Sequence, residues 1–332
     1  MITIVKPEKN GILSKEGTKV KMENRQAAEL LKKAYEKLKA SDAQTAFELL
    51  EQAVTYDCQN EEILYALKCV DWWQKNTRRN EDKKDPYEKG IFILSLFKKY
   101  YEFLEQFDIN YDQCQYAVRY YVYSTALFFF EGLLGNQSNQ HDPGLLLLVG
   151  RCFKGIGNYD EALKYLEQAV RFKREDAETL AEVADINALL AETKAAKVLF
   201  REAFFLDPSK IDLRSLESAL ILQLRDKVSE LGYSGEALCE WIAVYGYLWG
   251  VFSVKRELKP LEAGRLKQSI FTLEAEREAN PARKDQLKPR LLNRYFWLID
   301  HYENSREDTY LIEETLLKIK VLDPDIYRIF TG

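Results

Sequence analysis

The side chains best suited to acid–base chemistry near neutral pH are the two histidines of this 332-residue chain, His141 and His301. Histidine is the usual general base because its charge changes between about pH 5 and 8. His141 ends a polar run that begins at Gly135, and His301 lies in an apolar segment with a helical pattern. Asp300 is next to His301 in sequence, so on a helix the two side chains point in different directions. We therefore expect both histidines to be structural or surface residues.

The other chemistry-bearing residues indicate neither a zinc site nor a phosphate-binding loop. A structural zinc site needs Cys and His at short spacing, but the closest cysteines, Cys58 and Cys69, are eleven residues apart with no histidine nearby. The glycines at 155 and 157 are followed by Asn158 and Tyr159, without the lysine of a phosphate loop. Acidic residues are abundant, but no pair of them is singled out for glycosidase-like chemistry. The sequence predicts a protein that is not an enzyme and uses no cofactor and no metal.

A repeat with a period of 34 residues must position whatever binding surface the protein has. Five residues, Val149, Gly150, Ala162, Leu166 and Ala169, recur 34 positions later as Val183, Ala184, Ala196, Phe200 and Ala203. Self-similarity at this period is typical of stacked helical hairpins. The small residues let the two helices of a hairpin approach closely. The larger Leu or Phe fills the space toward the next hairpin.

The first clear unit, 143–176, has the pattern of two helices joined by a turn. Asp142 can cap a helix that starts at Pro143 and ends at the glycine-rich turn over 155–158. The second helix is predicted over 159–173. The second unit, 177–210, repeats this pattern and ends at Asp207 and Pro208, where proline stops the helix.

The order of small residue, Leu or aromatic residue, small residue and proline resembles the tetratricopeptide repeat (TPR) family. The units 143–176 and 177–210 carry the resemblance, and the segments 27–60 and 291–326 match parts of it. The resemblance implies an all-α fold over 24–330. That fold would be a right-handed superhelical solenoid of about seven antiparallel helix hairpins, several of them degenerate.

The resemblance also implies a binding surface, because proteins of this family bind partner segments on the concave face that the first helix of each hairpin lines. Carried over position by position, the candidate groove residues are Tyr35, Tyr65, Trp72, Leu147, Arg151, Lys154, Glu178 and Asp185. One branch of the family grips a C-terminal carboxylate with asparagine, lysine and arginine. Here Tyr35, Asp185 and Ala219 occupy places of that clamp, which is therefore incomplete. The alternative interpretation is that Arg151 and Asp185 pair with each other across neighbouring repeats.

Outside the clear repeats the helical pattern continues with a weaker register. Helices are predicted over 27–39, 43–56, 61–75, 86–107, 110–135, 212–231, 235–256, 260–279, 291–302 and 309–322. Polar loops are predicted over 76–85, 135–141 and 281–289. The stretches 116–134 and 238–254 are rich in aromatic residues, which indicates either burial or an exposed contact surface.

Residues 1–23 differ from the rest of the chain. The segments 2–5 and 18–21 alternate like short strands, and Asn10 with Gly11 is a turn candidate between them. An isolated hairpin is marginal in water, so we expect a flexible N-terminal arm over 1–23. The alternative is an arm that docks on the groove or on a partner.

Charge, cysteine usage and hydropathy limit the partner class and the compartment. The chain has 48 basic and 53 acidic residues, a net charge of −5, which argues against a general nucleic-acid binder. Five cysteines without close pairs do not fit a disulfide framework, so a reducing, cytoplasmic location is predicted. The N-terminus lacks the long apolar run of a secretory signal. Arg119 and Glu131 interrupt the most apolar stretch, so no membrane insertion is predicted.

These observations favour a non-catalytic scaffold or adaptor that binds a peptide or helix of a partner protein in the concave groove. A second interpretation is a structural subunit, homo- or hetero-oligomeric, whose aromatic helices pack against another chain or a second copy. The third is a helical enzyme with a site in the non-repeat half, around His301 or the acidic residues.

Overall fold

The protein is described here by a computed structural model, which covers residues 10–78, 83–137, 139–252, 258–305 and 309–332. This part of the chain contains fifteen α-helices and no strand, which confirms the all-α prediction. The chain divides into two compact units. The first comprises residues 1–140 with 152–158, and the second comprises residues 141–151 with 159–332.

The first unit is built from helices that are neighbours in sequence. Its helices are Asn10–Lys39 (α1), Ala43–Tyr56 (α2), Glu61–Thr77 (α3), Pro86–Leu104 (α4) and Asp112–Leu134 (α5). Short connections pair α1 with α2 and α4 with α5, and α5 also packs against α1 and α3. The helix Pro143–Gly155 (α6) begins in the second unit and ends in the first.

The second unit has one continuous apolar core that receives side chains from most of its helices. The helices after α6 are Tyr159–Phe172 (α7), Ala177–Leu189 (α8), Thr193–Leu206 (α9), Ala219–Glu230 (α10), Gly235–Leu248 (α11), Pro260–Ala279 (α12), Lys284–Ser305 (α13), Thr309–Leu322 (α14) and Pro324–Thr331 (α15). Short 3-10 turns follow α9 and α12. In the described ranges no helix has the length and apolar character needed to span a bilayer.

The residues of the 34-residue register are buried where they were predicted to pack. Ala162, Leu166 and Ala169 on α7 and their counterparts Ala196, Phe200 and Ala203 on α9 are all fully buried. Gly150 marks the closest approach, since a Cβ atom there would lie 2.5 Å from Cγ of Leu166. A side chain at position 150 would therefore push the two helices of this hairpin apart.

Three hairpin turns share one backbone conformation. Ser41, Gly157 and Ala191 have positive φ angles of 61°, 84° and 64°, and Ala191 lies 34 residues after Gly157. In each turn this residue donates its N–H to the carbonyl three positions back. The next N–H reaches five positions back, to Lys37, Phe153 and Asn187 respectively. This pair of bonds satisfies helix C-terminal carbonyls, as in a Schellman ending. The turn is thus repeated even where its residue is not glycine.

The N-terminal strand prediction is wrong where the structure describes it. Residues 18–21 lie in α1, and Asn10 with Gly11 begins that helix instead of forming a turn. The alternation was only four residues long, whereas the segment 15–23 is dominated by lysine, glutamate and methionine, which are good helix formers. The helix also passes through residue 23 without a break. Residues 2–5 fall outside the described ranges.

Two predicted helix bounds in the second unit are corrected by local contacts. The helix predicted from 212 begins at Ala219 because buried Asp185 accepts the backbone N–H groups of Glu217 and Ser218, which keeps the chain extended there. The helix predicted over 235–256 ends at Leu248. After it, Gly250 adopts a φ of 70°, and the ring of Phe252 packs back onto the helix.

Three further elements differ from the predicted pattern. The predicted loop 281–289 is mostly helical, because α13 starts at Lys284 and continues through Pro289. Proline near a helix start removes a single hydrogen bond, and buried Leu287 and Leu291 on either side anchor this turn. The helix predicted to reach 107 ends at Leu104. Asp323, predicted to end the last helix, follows the end of α14 and also begins a further helix, because its carboxylate caps α15.

A buried ion pair joins α9 to α13 in the second unit. Arg201 and Asp300 hydrogen-bond to each other, and their side chains are almost fully buried. The guanidinium of Arg201 lies 4.3 Å from the ring of Trp297 and 5.1 Å from the ring of Tyr247. The hydroxyl of Tyr247 donates to the second oxygen of Asp300 at 2.9 Å. Aromatic faces and hydrogen bonds thus replace the water that both charges lose on burial.

Exchanging glycine and alanine at the repeated turn tests its conformation. Ala191→Gly removes the steric penalty of about 1–2 kcal/mol that a side chain has in the left-handed region, partly offset by glycine's larger unfolded-state entropy. We expect a rise of up to about 1 kcal/mol in the free energy of unfolding, measured by urea titration with circular dichroism. Gly157→Ala should lower it by a similar amount, because the positive φ disfavours a side chain, while no described atom beyond the chain neighbours lies within 4 Å of the new Cβ to add a clash. Shifts of the same sign would contradict the assignment.

Removing one partner of the buried ion pair should strongly destabilise the second unit. Asp300→Leu leaves the Arg201 charge buried without its carboxylate, and we expect a loss of about 3–5 kcal/mol in urea unfolding. The double variant Arg201→Met with Asp300→Leu should be more stable than Asp300→Leu alone, because no unpaired charge remains. If the losses of Asp300→Leu and Arg201→Met, each measured alone, add up to the loss of the double variant, the ion pair does not couple α9 to α13.

Candidate functional site

One surface feature of the first unit is an aromatic cleft formed by α4, α5 and the segment between them. The side chain of Asp85 accepts the N–H of Tyr87 and fixes the start of α4 at Pro86. The cleft has a volume of about 670 Å³. Its lining residues are Phe97, Tyr100, Tyr101, Leu104, Glu105, Phe107, Asn110, Gln115, Tyr116, Val118 and Arg119. Five of these are aromatic, so the cleft can bind an apolar group.

The rim and the floor of the aromatic cleft differ in exposure. Tyr101 and Tyr116 are 61% and 53% exposed, so both rings are presented to solvent at the rim. Tyr100 is buried at the floor, and the half-buried Gln115 donates to its hydroxyl at 3.1 Å. Buried tyrosines of the floor keep their protons, because desolvation raises the pKa of Tyr100 far above its ordinary value.

Two of the predicted groove residues, Tyr65 and Trp72, lie directly behind this cleft. They are seven positions apart on α3 and therefore on one face of it. The ring of Tyr65 packs edge-on against Phe107 at 5.0 Å, and its hydroxyl donates to the side-chain oxygen of Asn110 at 2.8 Å. Trp72 packs against Tyr100 at 5.3 Å. These contacts make Tyr65 and Trp72 supports of the cleft wall.

A pair of buried thiols lies next to the same supports. Cys69 and Cys114 are fully buried, and each thiol shifts the pKa of the other. The interaction with Cys114 lowers the pKa of Cys69, whereas the interaction with Cys69, together with burial, raises the pKa of Cys114. Because neither thiol is reached by solvent, the pair acts as packing behind the cleft. Tyr35, also buried, donates to Glu62 at 3.1 Å.

Two charged side chains of opposite sign line the aromatic cleft. Arg119 is held in place, since its Nε donates to the carbonyl of Gly155 at 3.0 Å and its guanidinium lies 5.6 Å from the ring of Tyr123. Glu105 is exposed at the end of α4. A ligand in the cleft would therefore meet a fixed positive charge, a movable negative charge and the amides of Asn110 and Gln115.

The predicted groove residues of the second unit form an internal ion network. Arg151 lies 2.8 Å from Glu178 and 2.6 Å from Glu182, whose side chain is fully buried, and it also donates to Ser215. Burial opposes the charged form of Arg151, but Glu182 and Glu178 outweigh this and raise its pKa. The predicted pairing of Arg151 with Asp185 is wrong. The two glutamates on α8 reach Arg151, and Asp185 accepts backbone N–H groups 32 and 33 positions along the chain.

Burial separates the predicted groove residues into two groups. Tyr35, Tyr65, Leu147, Lys154 and Asp185 are buried, so a partner cannot contact them without rearrangement. Trp72, Arg151 and Glu178 are partly exposed. Whether any of them touches a partner stays a prediction.

The residues that sequence reasoning missed are those at the cleft rim and floor, above all Tyr101, Asn110, Gln115 and Tyr116. The signal for them was the density of aromatic residues over 97–120, which places rings on several faces of α4 and α5. Rings beyond those needed for the core must lie at the surface. The spacing alone does not say which rings those are.

No metal or histidine site is indicated in the described ranges. No group of three or more His, Cys, Asp and Glu side chains in them could hold a metal ion. His141 is exposed and packs edge-on against Phe172 at 4.8 Å, and His301 is buried in α13 beside Tyr302.

No family model and no curated protein matches this chain. Its function is therefore inferred from its own residues and contacts.

Arg151→Met should destabilise the fold, because it leaves the buried carboxylate of Glu182 without its ion-pair partner Arg151. We expect a loss of about 3 kcal/mol in the free energy of unfolding, measured by urea titration. Lys164→Met is the matched control, since it breaks an exposed pair with Glu161 and should leave the free energy of unfolding nearly unchanged. Equal losses in the two variants would show that Arg151 does not support the fold.

Proposed function

We propose that this protein is a non-catalytic scaffold or adaptor that binds a segment of a partner protein in the aromatic cleft of its first unit. The observation that carries this proposal is the cleft itself: about 670 Å³, walled by aromatic rings, with two exposed tyrosines at its rim. Exposed tyrosine rings offer a large contact area at a low entropy loss, because few bonds rotate. The cleft replaces the concave groove of the sequence interpretation as the main binding surface.

The chemistry of the cleft suits an extended peptide that carries a large apolar side chain. The Nδ2 of Asn110 can donate to a peptide C=O and the Oε1 of Gln115 can accept a peptide N–H, since Asn110 Oδ1 and Gln115 Nε2 already bond tyrosine hydroxyls. Phe97, Tyr101 and Tyr116 enclose an apolar side chain. Arg119 and Glu105 favour a peptide with charges of both signs beside that side chain.

The TPR resemblance belongs to the same proposal. The buried small-and-large register, the close approach at Gly150 and the turn shared by Ser41, Gly157 and Ala191 support stacked hairpins of this type. We propose an array of such hairpins, with the pairs α6–α7 and α8–α9 closest to the family pattern. Arrays of this kind present binding surfaces on helices that neighbouring hairpins hold in place.

A structural role as an assembly subunit is the second candidate, favoured by one face of α14. Tyr310, Leu317 and Val321 are 65%, 60% and 79% exposed, and their spacings of seven and four place them on one side of the helix. In this proposal the face packs against a second copy of the chain. A monomeric mass by light scattering at high concentration, the same for wild type and Val321→Lys, would exclude it.

The adaptor proposal is tested by selecting peptides from a random phage-displayed library on the wild-type protein and measuring their affinity by fluorescence anisotropy. Tyr101→Ala with Tyr116→Ala removes both rim rings, and we expect the selected peptides to bind about tenfold more weakly or worse. Phe128→Ala is the matched control, because Phe128 is 73% exposed on α5 but does not line the cleft. It should leave affinity unchanged.

Two results would refute the cleft as the binding surface. One is a set of selected peptides that bind the rim variant as tightly as the wild type. The other is an equal loss in the Phe128→Ala control, which would indicate a general loss of fold. Circular dichroism of each variant shows whether the helices are retained.

A further inference from the structure

In the second unit, α12 and α13 carry two facing rows of polar side chains. Arg265, Ser269 and Thr272 recur at spacings of four and three along α12, and Arg290 and Arg294 are four apart on α13. Residues at these spacings share a helix face, and the turn over 281–283 reverses the chain, so the rows face each other. Between them lies a cleft of about 400 Å³, the arginine cleft, lined by Arg265, Gln268, Ser269, Thr272, Leu273, Arg290 and Arg294.

Arg290 is fixed in this cleft by a carboxylate on α11. Its guanidinium donates through Nε to the Oε1 atom of Glu240 at 2.7 Å, and a second nitrogen lies 2.5 Å from the same oxygen. Asp207 is further away, at 4.0 Å. The charge of Arg290 is therefore largely balanced, and the direction of its planar group is set before any ligand arrives.

Arg294 has no such carboxylate. Its guanidinium donates to the backbone carbonyl of Phe205 at 3.3 Å and lies 5.3 Å from the ring of the same residue. No Asp or Glu of the described ranges lies within ion-pair distance of it. Burial, and next the charge of Arg290, lower the pKa of Arg294, and the charges of Glu240 and Asp207 offset this only in part. An anion beside Arg294 would stabilise its positive charge.

Arg265 completes the set at the open edge of the arginine cleft. Its side chain is 63% exposed and lies 3.4 Å from Glu175, which is 75% exposed. Exposed pairs of this kind contribute little to stability, so the guanidinium can exchange Glu175 for a ligand. Among the described residues, every ionisable side chain that lines the cleft is thus an arginine, although the chain as a whole is acidic.

We propose that the arginine cleft binds the phosphoryl group of a phosphate monoester. A monoester near neutral pH carries a charge of about −1.5 to −2 on three acceptor oxygens, which suits several converging guanidinium groups. A carboxylate offers a single charge and two oxygens. The hydroxyls of Ser269 and Thr272 already donate to carbonyls of their own helix, so the guanidinium groups and the amide of Gln268 are the available donors. This site does not depend on the aromatic cleft.

Titration calorimetry with phenyl phosphate tests the site on the full chain at low ionic strength and pH 7.5. We expect saturable binding, weakened about tenfold or more by Arg294→Gln, because a charge-assisted hydrogen bond is lost. Arg265→Gln should weaken binding several-fold. As this residue lies at the exposed edge, that variant keeps the test valid if Arg294→Gln fails to fold. Lowering the pH to 5 should also weaken binding, since the monoester then loses its second charge.

Two controls make the proposal refutable. Arg328→Gln removes an equally charged surface arginine that does not line the cleft, 77% exposed on α15, and should leave the affinity unchanged. Benzoate has the same ring as phenyl phosphate but a carboxylate, and it should bind at least about tenfold more weakly. The proposal is overturned by the absence of saturable phenyl phosphate binding, by equal affinity in wild type, Arg265→Gln and Arg294→Gln, or by equal affinity for benzoate.

Discussion

The charged side chain of Arg201 is buried in the interior of the second unit, and the fold of that unit depends on its ion pair with Asp300. Two charges that leave water lose several kcal/mol of hydration each, and only good geometry with added hydrogen bonds compensates for this. Here the hydroxyl of Tyr247 donates a further hydrogen bond to Asp300, and the rings of Trp297 and Tyr247 cover the guanidinium of Arg201. The arrangement links residues 99 positions apart, so α9, α11 and α13 form it only when all three are in place. α13 is buried over most of its length and has no clean apolar stripe, because α11, α12 and α14 all pack against it.

The same reasoning separates charged residues that support the fold from those that remain available to a ligand. Arg151, Arg201 and Arg290 each have a buried or nearly buried carboxylate as partner, namely Glu182, Asp300 and Glu240. A charge held in this way is strongly coupled to stability, and its substitution disturbs packing before it disturbs recognition. In the part of the chain that the structure describes, Arg294 has no acidic partner at contact distance, and the acidic partner of Arg265 is a weak one at the surface. The presence of a buried acidic partner thus separates arginines that support the fold from arginines available to a ligand better than their charge or their exposed fraction does.

The two clefts differ in the physics that would hold a ligand. The aromatic cleft offers mainly ring surface and amides, with one charge of each sign, so most of its affinity would come from burial of apolar area and would depend less on salt. The arginine cleft offers charge, and binding there would weaken as ionic strength rises. Each cleft lies within one unit of the chain.

Local sequence signals determined the helical elements and the repeat. The bounds of α2, α12 and α14 follow from caps, prolines and hydrophobic period, which act within a few residues. For that reason the ranges 43–56, 260–279 and 309–322 agree with the structure. The 34-residue register likewise identified which small and large residues are buried. Only the tertiary structure decided the late start of α10, the course of α13 through Pro289 and the places of Tyr101, Tyr116 and Arg294 at cleft surfaces. The reason is distance along the chain: Asp185, Arg201 and Arg294 take positions set by partners 32 to 99 residues away. Helical periodicity carries no information about such partners.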